Sequence, residues 1–292
     1  DTALEEIGMA LFKAARSLEA EAVLMKILPR SRNGEEPPEN VTKAMAFSDV
    51  VVAPTEKSLS HTAARRQACA AGARVATMPG ILTETMVRCL NADYYAIADR
   101  TKRLTEIMTA AETARVTTEA GTDILLPLKG ITAIASTGLM HESGSFGNLP
   151  SGEAYMMPVE KGSEGVFVVD GSMAGVGNLT GKSPITVTVE KGYATTISGG
   201  PEADTLRQKL DAVGTAAFSV AEFGVVTNDA AKIIGNILED EKVMGTIHIA
   251  HGNNISMGGT VDVPIHLDGI IKDPTVALDG KMIMEKGNLL ID

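Results

Sequence analysis

Asp49-Val50-Val51-Val52-Ala53-Pro54 reads as a buried strand closed by proline, and Ala73-Arg74-Val75-Ala76-Thr77-Met78-Pro79 repeats the pattern downstream. Neither run alternates apolar with polar residues. A strand that is apolar throughout is covered on both faces, as in parallel sheets whose crossovers are helices. Such a crossover helix is expected from about Ser60 to Ala71, stopped by Gly72, with further helices over roughly 83–90 and 93–112. Upstream, Ile7, Leu11, Ala14 and Ala15 fall at helical spacing, with Asp1 or Thr2 as a cap ahead of Glu5. That helix leads to an apolar run, Ala22 to Leu28, and a polar loop, Ser31 to Asn40. The chain starts at Asp1 without Met, and a strand is expected just ahead of it. Residues 1–112 thus read as a doubly wound parallel α/β domain. No G-x-G-x-x-G follows its strands, and Pro54-Thr55-Glu56-Lys57 follows Val52, so no dinucleotide is expected there. Packing and dimer contacts are its expected role.

From residue 113 the character changes. Residues 151–292 hold 20 of the 29 glycines. Short β-rich runs dominate: Val116–Glu119, Ile124–Leu128, Gly165–Val169, Ile185–Glu190, Thr246–Ala250 and Val263–Leu267. Asp170-Gly171, Asp279-Gly280 and Lys286-Gly287-Asn288 mark turns. Helices are expected over Glu202–Val213 and about Asn228–Leu238. The fold expected is α/β overall, with a domain over 1–112 followed by a β-rich α+β domain over 113–292.

Composition narrows the partners. The 292 residues are 44% hydrophobic and carry a net charge of −11. A chain this long buries most of its apolar surface without disulfide or metal staples. The acidic balance and lack of a basic patch argue against nucleic acid and anionic membranes. No apolar run reaches the ~18 residues of a membrane span. Cys69 and Cys89 have no second cysteine nearby and read as reduced core thiols of a cytoplasmic protein.

Three motifs are decoys. Gly175-Val176-Gly177-Asn178-Leu179-Thr180-Gly181-Lys182-Ser183 resembles a phosphate loop, but Val176 stands where its first glycine belongs and a strand-like run, Pro184–Glu190, follows instead of a helix. His141-Glu142 lacks the second histidine of a zinc-protease helix, because position 145 is Ser. The sequons at Asn40 and Asn178 carry no meaning in a cytoplasmic protein.

Three of the five histidines, His248, His251 and His266, crowd into residues 248–266. Thr246-Ile247-His248-Ile249-Ala250 and Pro264-Ile265-His266-Leu267-Asp268 alternate as strands. His266 and Asp268 therefore share one face while Ile265 and Leu267 point to the core. An imidazole and a carboxylate side by side on a rigid element suit a divalent metal, and His248 on a nearby strand would add a ligand. His251 falls on the opposite face. The alternative is a pair of structural histidines hydrogen-bonded to Asp262 or Asp268. Two acids join the set: Glu153, after the turn Gly147–Gly152, and Glu222, inside the apolar run Val220–Val226. A carboxylate in an apolar run is costly unless paired or metal-bound. An exposed turn position for Glu153 and an edge position for Glu222 are the competing readings.

Phe146–Glu153 followed by Ala154-Tyr155-Met156-Met157-Pro158 resembles the N-x-P-x-x-E-x-x-x-x-P segment of the aminopeptidase T family of metallo-aminopeptidases. Ala221-Glu222-Phe223-Gly224, Gly245–Gly252 and Ile265-His266-Leu267-Asp268 resemble that family's second glutamate segment, its H-[IL]-A-x-G segment and its closing H-x-D. The N-terminal half resembles the family only in pattern. The resemblance implies a dinuclear peptidase site in which Glu153, Glu222, His248, His266 and Asp268 match metal-ligand positions, in a protein that is typically a homodimer and releases N-terminal residues from peptides. Here the segment between His248 and His266 is abbreviated. The family's tyrosine after the first histidine is replaced by Asn253-Asn254-Ile255, which implies a weak second ion and fewer than two metals per chain.

The first functional expectation is accordingly a cytoplasmic metallo-aminopeptidase, a hydrolase using Zn, Co or Mn. Glu153 or Glu222 would bridge the metals or take the proton of metal-activated water. The alternative is a mononuclear non-haem iron dioxygenase that opens a dihydroxylated heteroaromatic ring, with His248, His266 and Asp268 as its triad, since a ring-opening dihydroxypyridine dioxygenase resembles the same family. A non-catalytic homologue with a degenerate site is the third reading, and its stability would be indifferent to chelation.

Overall fold

The computed structural model describes residues 2–291 and is of the mixed α/β class. It divides into two compact units. One contains the described residues up to Tyr94 together with Gly138–Ser151, and the other contains Tyr95–Thr137 and the described residues from Gly152 on. The division between Tyr94 and Tyr95 falls at the first residue of the long helix Tyr94–Ala110.

In the first unit, the runs that opened the sequence reading form strands Val50–Ala53 and Arg74–Thr77. They pair in parallel, and Phe146–Asn148 adds a third parallel strand beside the second. The crossover helix covers Ala63–Ala70. The Thr62 side chain caps it by accepting from the Arg65 amide, and Gly72 follows with φ +104°, a conformation glycine adopts without a Cβ penalty. Val41, Met45, Ala64, Ala68, Ala73 and Val75 make this unit's own core. Helix Glu39–Ala46 was not expected, because its start lies in a stretch read as loop. The helix Thr2–Ser17 forms as its spacing predicts, while the proposed Asp1 cap lies outside the described residues. The apolar run Ala22–Leu28 forms neither helix nor strand, and Val23 and Leu28 are exposed. Ile27 packs against the small core.

The second unit carries two antiparallel sheets. One has eight strands, from Thr113–Thr117 at its earliest to Asn288–Leu289. The other has seven, and at its centre Glu153–Met156, Val220–Val226, Thr246–Gly252 and His266–Lys272 lie side by side. One core joins both sheets: Val116, Ile124, Leu126, Phe167 and Val187 from the first, Met156, Phe223, Val225, Ile247 and Ile249 from the second. Each fully buried side chain of this size is worth about 1.5–3 kcal/mol against exposure. That burial fixes the register, because a slip by one residue would exchange the two faces of a strand.

Two expectations for this unit are corrected. Helix 228–238 shrinks to Ile237–Asp240. Ahead of it, the Asn228 side chain accepts from the Ala230 amide, and the carboxylates of Glu239 and Asp240 accept from the amides of Lys232, Ile234 and Gly235. Side-chain acceptors have taken the donors a helix would have used. The strand expected over 263–267 begins only at His266, after Pro264, which has no N–H for a ladder.

Candidate metal centre

The four central strands of the seven-stranded sheet present two chemically opposite faces. Phe223, Val225, Ile247, Ile249 and Ile271 enter the core on one. On the other, pleat and register collect Glu222 and Gly224, opposite Ala250 and His248 of the next strand. Beyond these, Ala250 is opposite Asp268 and Gly252 is opposite His266. On the other flank, Tyr155 is opposite Gly224 and Glu153 is opposite Val226. All five ligand candidates therefore share one face, on adjacent strands. Small residues floor the site. A Cβ on Gly224 would sit 2.0 Å from His248 Nε2, so the His248 ring lies directly over this glycine.

Glu222 is the hub. Its Oε1 is 3.0 Å from His248 Nε2, and its Oε2 is 3.2 Å from His266 Nε2. His266 Nε2 is also 3.3 Å from Asp268 Oδ1. His266 Nδ1 lies 2.7 Å from the carbonyl oxygen of Asn253 and donates to it, which leaves Nε2 to face the acids. Ligand atoms of Glu222, His266 and Asp268 all lie within 4.8 Å of one another, a group that could hold a metal ion. His248 touches this group through Glu222, and its own Nδ1 is buried without a partner.

The electrostatics follow from burial. Burial raises the cost of charge on Glu222, yet hydrogen bonds from His248 and His266 outweigh it and keep the carboxyl ionised below its ordinary range. Asp268 is lowered against burial in the same way by His266. For His248, burial opposes protonation, but the Glu222 hydrogen bond and the charges of Glu153 and Asp268 raise it to about 9. His266 is raised well above its ordinary value against burial, chiefly by Asp268. Metal-free, both rings hold protons at neutral pH, so a metal must displace them. Burial, with Glu222 and Glu153 nearby, pushes the Tyr155 phenol up, so it stays protonated.

Glu153 is neither an exposed turn acid nor part of the compact group. Its Oε1 is 2.6 Å from Lys242 Nζ, and its Oε2 is 3.8 Å from His248 Nε2. Lys242 also binds Glu241, at 2.9 Å. Sequence reasoning missed Lys242, Glu241 and Tyr155. The signal for the first two was a run of four charges, Glu239 to Lys242, next to a buried strand. Of the structural-histidine partners considered, Asp268 does face His266, while Asp262 binds the Asn253 side chain. His251 is in the core: its ring is 5.6 Å from Phe167, and Nδ1 is 3.2 Å from the Ser219 carbonyl. The glycine-rich decoy Gly175–Ser183 is turn and two-residue strand, followed by strand Ile185–Glu190.

With this geometry in hand, comparison with known proteins decides between the readings. Residues 2–291 match the family described as NicX: 2,5-dihydroxypyridine 5,6-dioxygenase. The chain belongs to that family. A 2,5-dihydroxypyridine 5,6-dioxygenase of Pseudomonas putida KT2440 is 26% identical over 269 residues, covering 85% of this chain and 73% of the relative. The solved 2,5-dihydroxypyridine dioxygenase structure from Pseudomonas putida KT2440 superposes with a TM-score of 0.82 at 23% identity, over 97% of this chain and 87% of that one. Wild-type AmpT from Thermus thermophilus superposes with a TM-score of 0.70 at 16% identity, over 98% and 91%.

The aminopeptidase T assignment is therefore corrected, and hydrolase, aminopeptidase and metalloprotease chemistry with it. The family is one of enzymes, and of the two enzyme readings the comparisons favour the ring-cleaving dioxygenase. The peptide substrate falls as well, since the relative is named for a small heteroaromatic. The physical reason for the mistaken resemblance is visible in the sheet. Three of its four segments lie on adjacent strands of one sheet, and the fourth, Phe146 to Pro158, contains their neighbour, strand Glu153–Met156. A shared fold does not fix the chemistry it carries. Among the described residues, no helix is long and apolar enough to cross a membrane.

Proposed function

We propose that this protein is a ring-cleaving dioxygenase acting on a dihydroxylated heteroaromatic of the 2,5-dihydroxypyridine class, with a single iron held by Glu222, His266 and Asp268. The observation that carries the reading is the convergence of those three donors on one sheet face, in a chain that matches the dioxygenase family along its length. One imidazole and two carboxylates suit a first-row divalent ion with positions left open. The buried, orphaned His248 Nδ1 and the His266 ring locked through Nδ1 fit a centre whose donors are fixed before any ion arrives. Bound there, iron would supply the one-electron chemistry by which dioxygen reacts with a closed-shell aromatic ring.

The chain's own residues supply the rest. His248, protonated at neutral pH, has Nε2 between Glu222 Oε1 and Glu153 Oε2, where it donates to Glu222 and holds that carboxylate in place. Protonated Tyr155 offers a donor on the same face to orient a ring substituent. We also retain the reading of an N-terminal doubly wound α/β domain ahead of a β-rich domain, supported by the parallel Val50–Ala53 and Arg74–Thr77 pair. A cytoplasmic setting is supported by the two free cysteines.

The test is an oxygen-electrode assay on protein loaded anaerobically with Fe(II). Oxygen uptake is expected with 2,5-dihydroxypyridine and not with peptides. Silence toward every dihydroxylated heteroaromatic tried, beside release of amino acids by the zinc-loaded protein, would reverse the reading.

A further inference from the structure

Glu153 was read from the sequence as a metal ligand, yet its carboxylate is already engaged by a cation of the protein. The Lys242 ammonium lies 2.6 Å from Glu153 Oε1 and 2.9 Å from Glu241 Oε1. The lysine side chain is only 3% exposed. Its segment is held from several sides. The Lys242 amide donates to the Glu239 carbonyl, Val243 bridges to Asn228, and buried Glu239 and Asp240 take the amides of the loop before them. Lys242 is thus fixed in place, and its point charge sits where buried Glu153 and half-buried Glu241 converge, next to the face that carries Glu222, His266 and Asp268.

We propose that Lys242 is a positioning residue that acts as a built-in second cation: it holds Glu153 away from the metal and fixes the centre at one ion per chain. The inference rests on reading Glu222, His266 and Asp268 as the metal group, but it concerns metal count, not turnover. An ammonium donates up to three hydrogen bonds and satisfies two carboxylates without giving up a hydration shell at each binding event. It also repels a second metal ion from the Glu153 side. Removing the ammonium would leave buried Glu153, with half-buried Glu241 beside it, uncompensated, a costly state that a cation from solution relieves.

The test counts Mn(II) bound to the full-length metal-free protein, by elemental analysis after desalting, with circular dichroism to follow folding. Wild type and Lys242→Arg are expected to bind one ion. Lys242→Met is expected to bind a second, lost again when Glu153→Gln is added. A wild-type protein that takes two tight ions, or a folded Lys242→Met that stays at one, overturns the proposal. If Lys242→Met does not fold, Glu153→Gln alone decides. Its Mn(II) affinity should fall by no more than about tenfold, the low end for a residue outside the ligand set. Loss of the ion would make Glu153 a ligand and overturn the proposal. His266→Ala, which should abolish binding, checks the metal group itself. No oxygen chemistry enters this test, so failure to turn over dihydroxypyridine would leave its outcome unaffected.

Discussion

The Nδ1 of His266 is 2.7 Å from the carbonyl oxygen of Asn253, a backbone atom in the stretch where the aminopeptidase resemblance calls for a tyrosine. That stretch therefore orients the His266 ring through its main chain. Because the acceptor is main chain, the Asn253 side chain is dispensable for the tautomer. It binds Asp262 and the Val263 carbonyl and so tethers the loop. Asn253→Ala should therefore keep its metal, with affinity reduced by about tenfold or less. His266→Ala and Asp268→Ala should lose it. Isothermal titration with Mn(II) separates the two outcomes.

Gly224 tests the site without changing any ionisable group. A methyl group at this position would meet His248 Nε2 at 2.0 Å and force the ring off Glu222. Gly224→Ala should fold, because the opposite face of its strand is untouched core. It should lose about 10–100-fold in metal affinity or activity, as when a group that orients ligands is displaced. Wild-type activity in this variant would mean that His248 has no role at the centre.

Chelation should destabilise the protein. An ion bound only by the folded state adds about 2.7 kcal/mol at a free concentration 100 times its Kd. Calorimetric scans before and after removal of the metal should show a lower Tm for the metal-free form. An unchanged Tm would point to the degenerate-site reading.

The metal-free protein should lose stability on both sides of neutrality. Burial pushes His251 down to about 4, with the Ser219 carbonyl opposing. Its ordinary value is 6.5, so the unfolded chain binds the extra proton between 6.5 and 4, and stability drops as pH falls through that window. His248 is raised to about 9 despite burial, by Glu222 and its acidic neighbours. Its contribution is complete below 6.5 and is lost as pH rises through about 9. Urea midpoints against pH should form a dome, and His251→Gln should flatten its acid side. An acid limb unchanged in that variant would assign it to other groups.

Much of the site was legible because strand periodicity is local. Alternation placed His266 and Asp268 on one face and His251 on the other, and an acid within an apolar run marked Glu222 as paired. The parallel strands at Val50 and Arg74 and the Gly72 stop were legible for the same reason. What the sequence hid depends on tertiary pairing. Glu239 to Lys242 look like a solvated stretch, yet Glu239, Asp240 and Lys242 are buried because each finds its partner in another segment or in the folded loop. That same pairing dissolved the helix expected over 228–238 and engages Glu153 with Lys242. The choice between hydrolysis and oxygenation was hidden more deeply, since one fold can carry different chemistries.

The most direct test of the dioxygenase reading is isotopic. Iron-loaded protein is given 2,5-dihydroxypyridine under ¹⁸O₂, and the ring-opened product is weighed by mass spectrometry. The account predicts that both atoms of one dioxygen molecule appear in the product, and that the product is absent with His266→Ala. A product labelled only from water, or an intact ring alongside hydrolysed peptide, would contradict it.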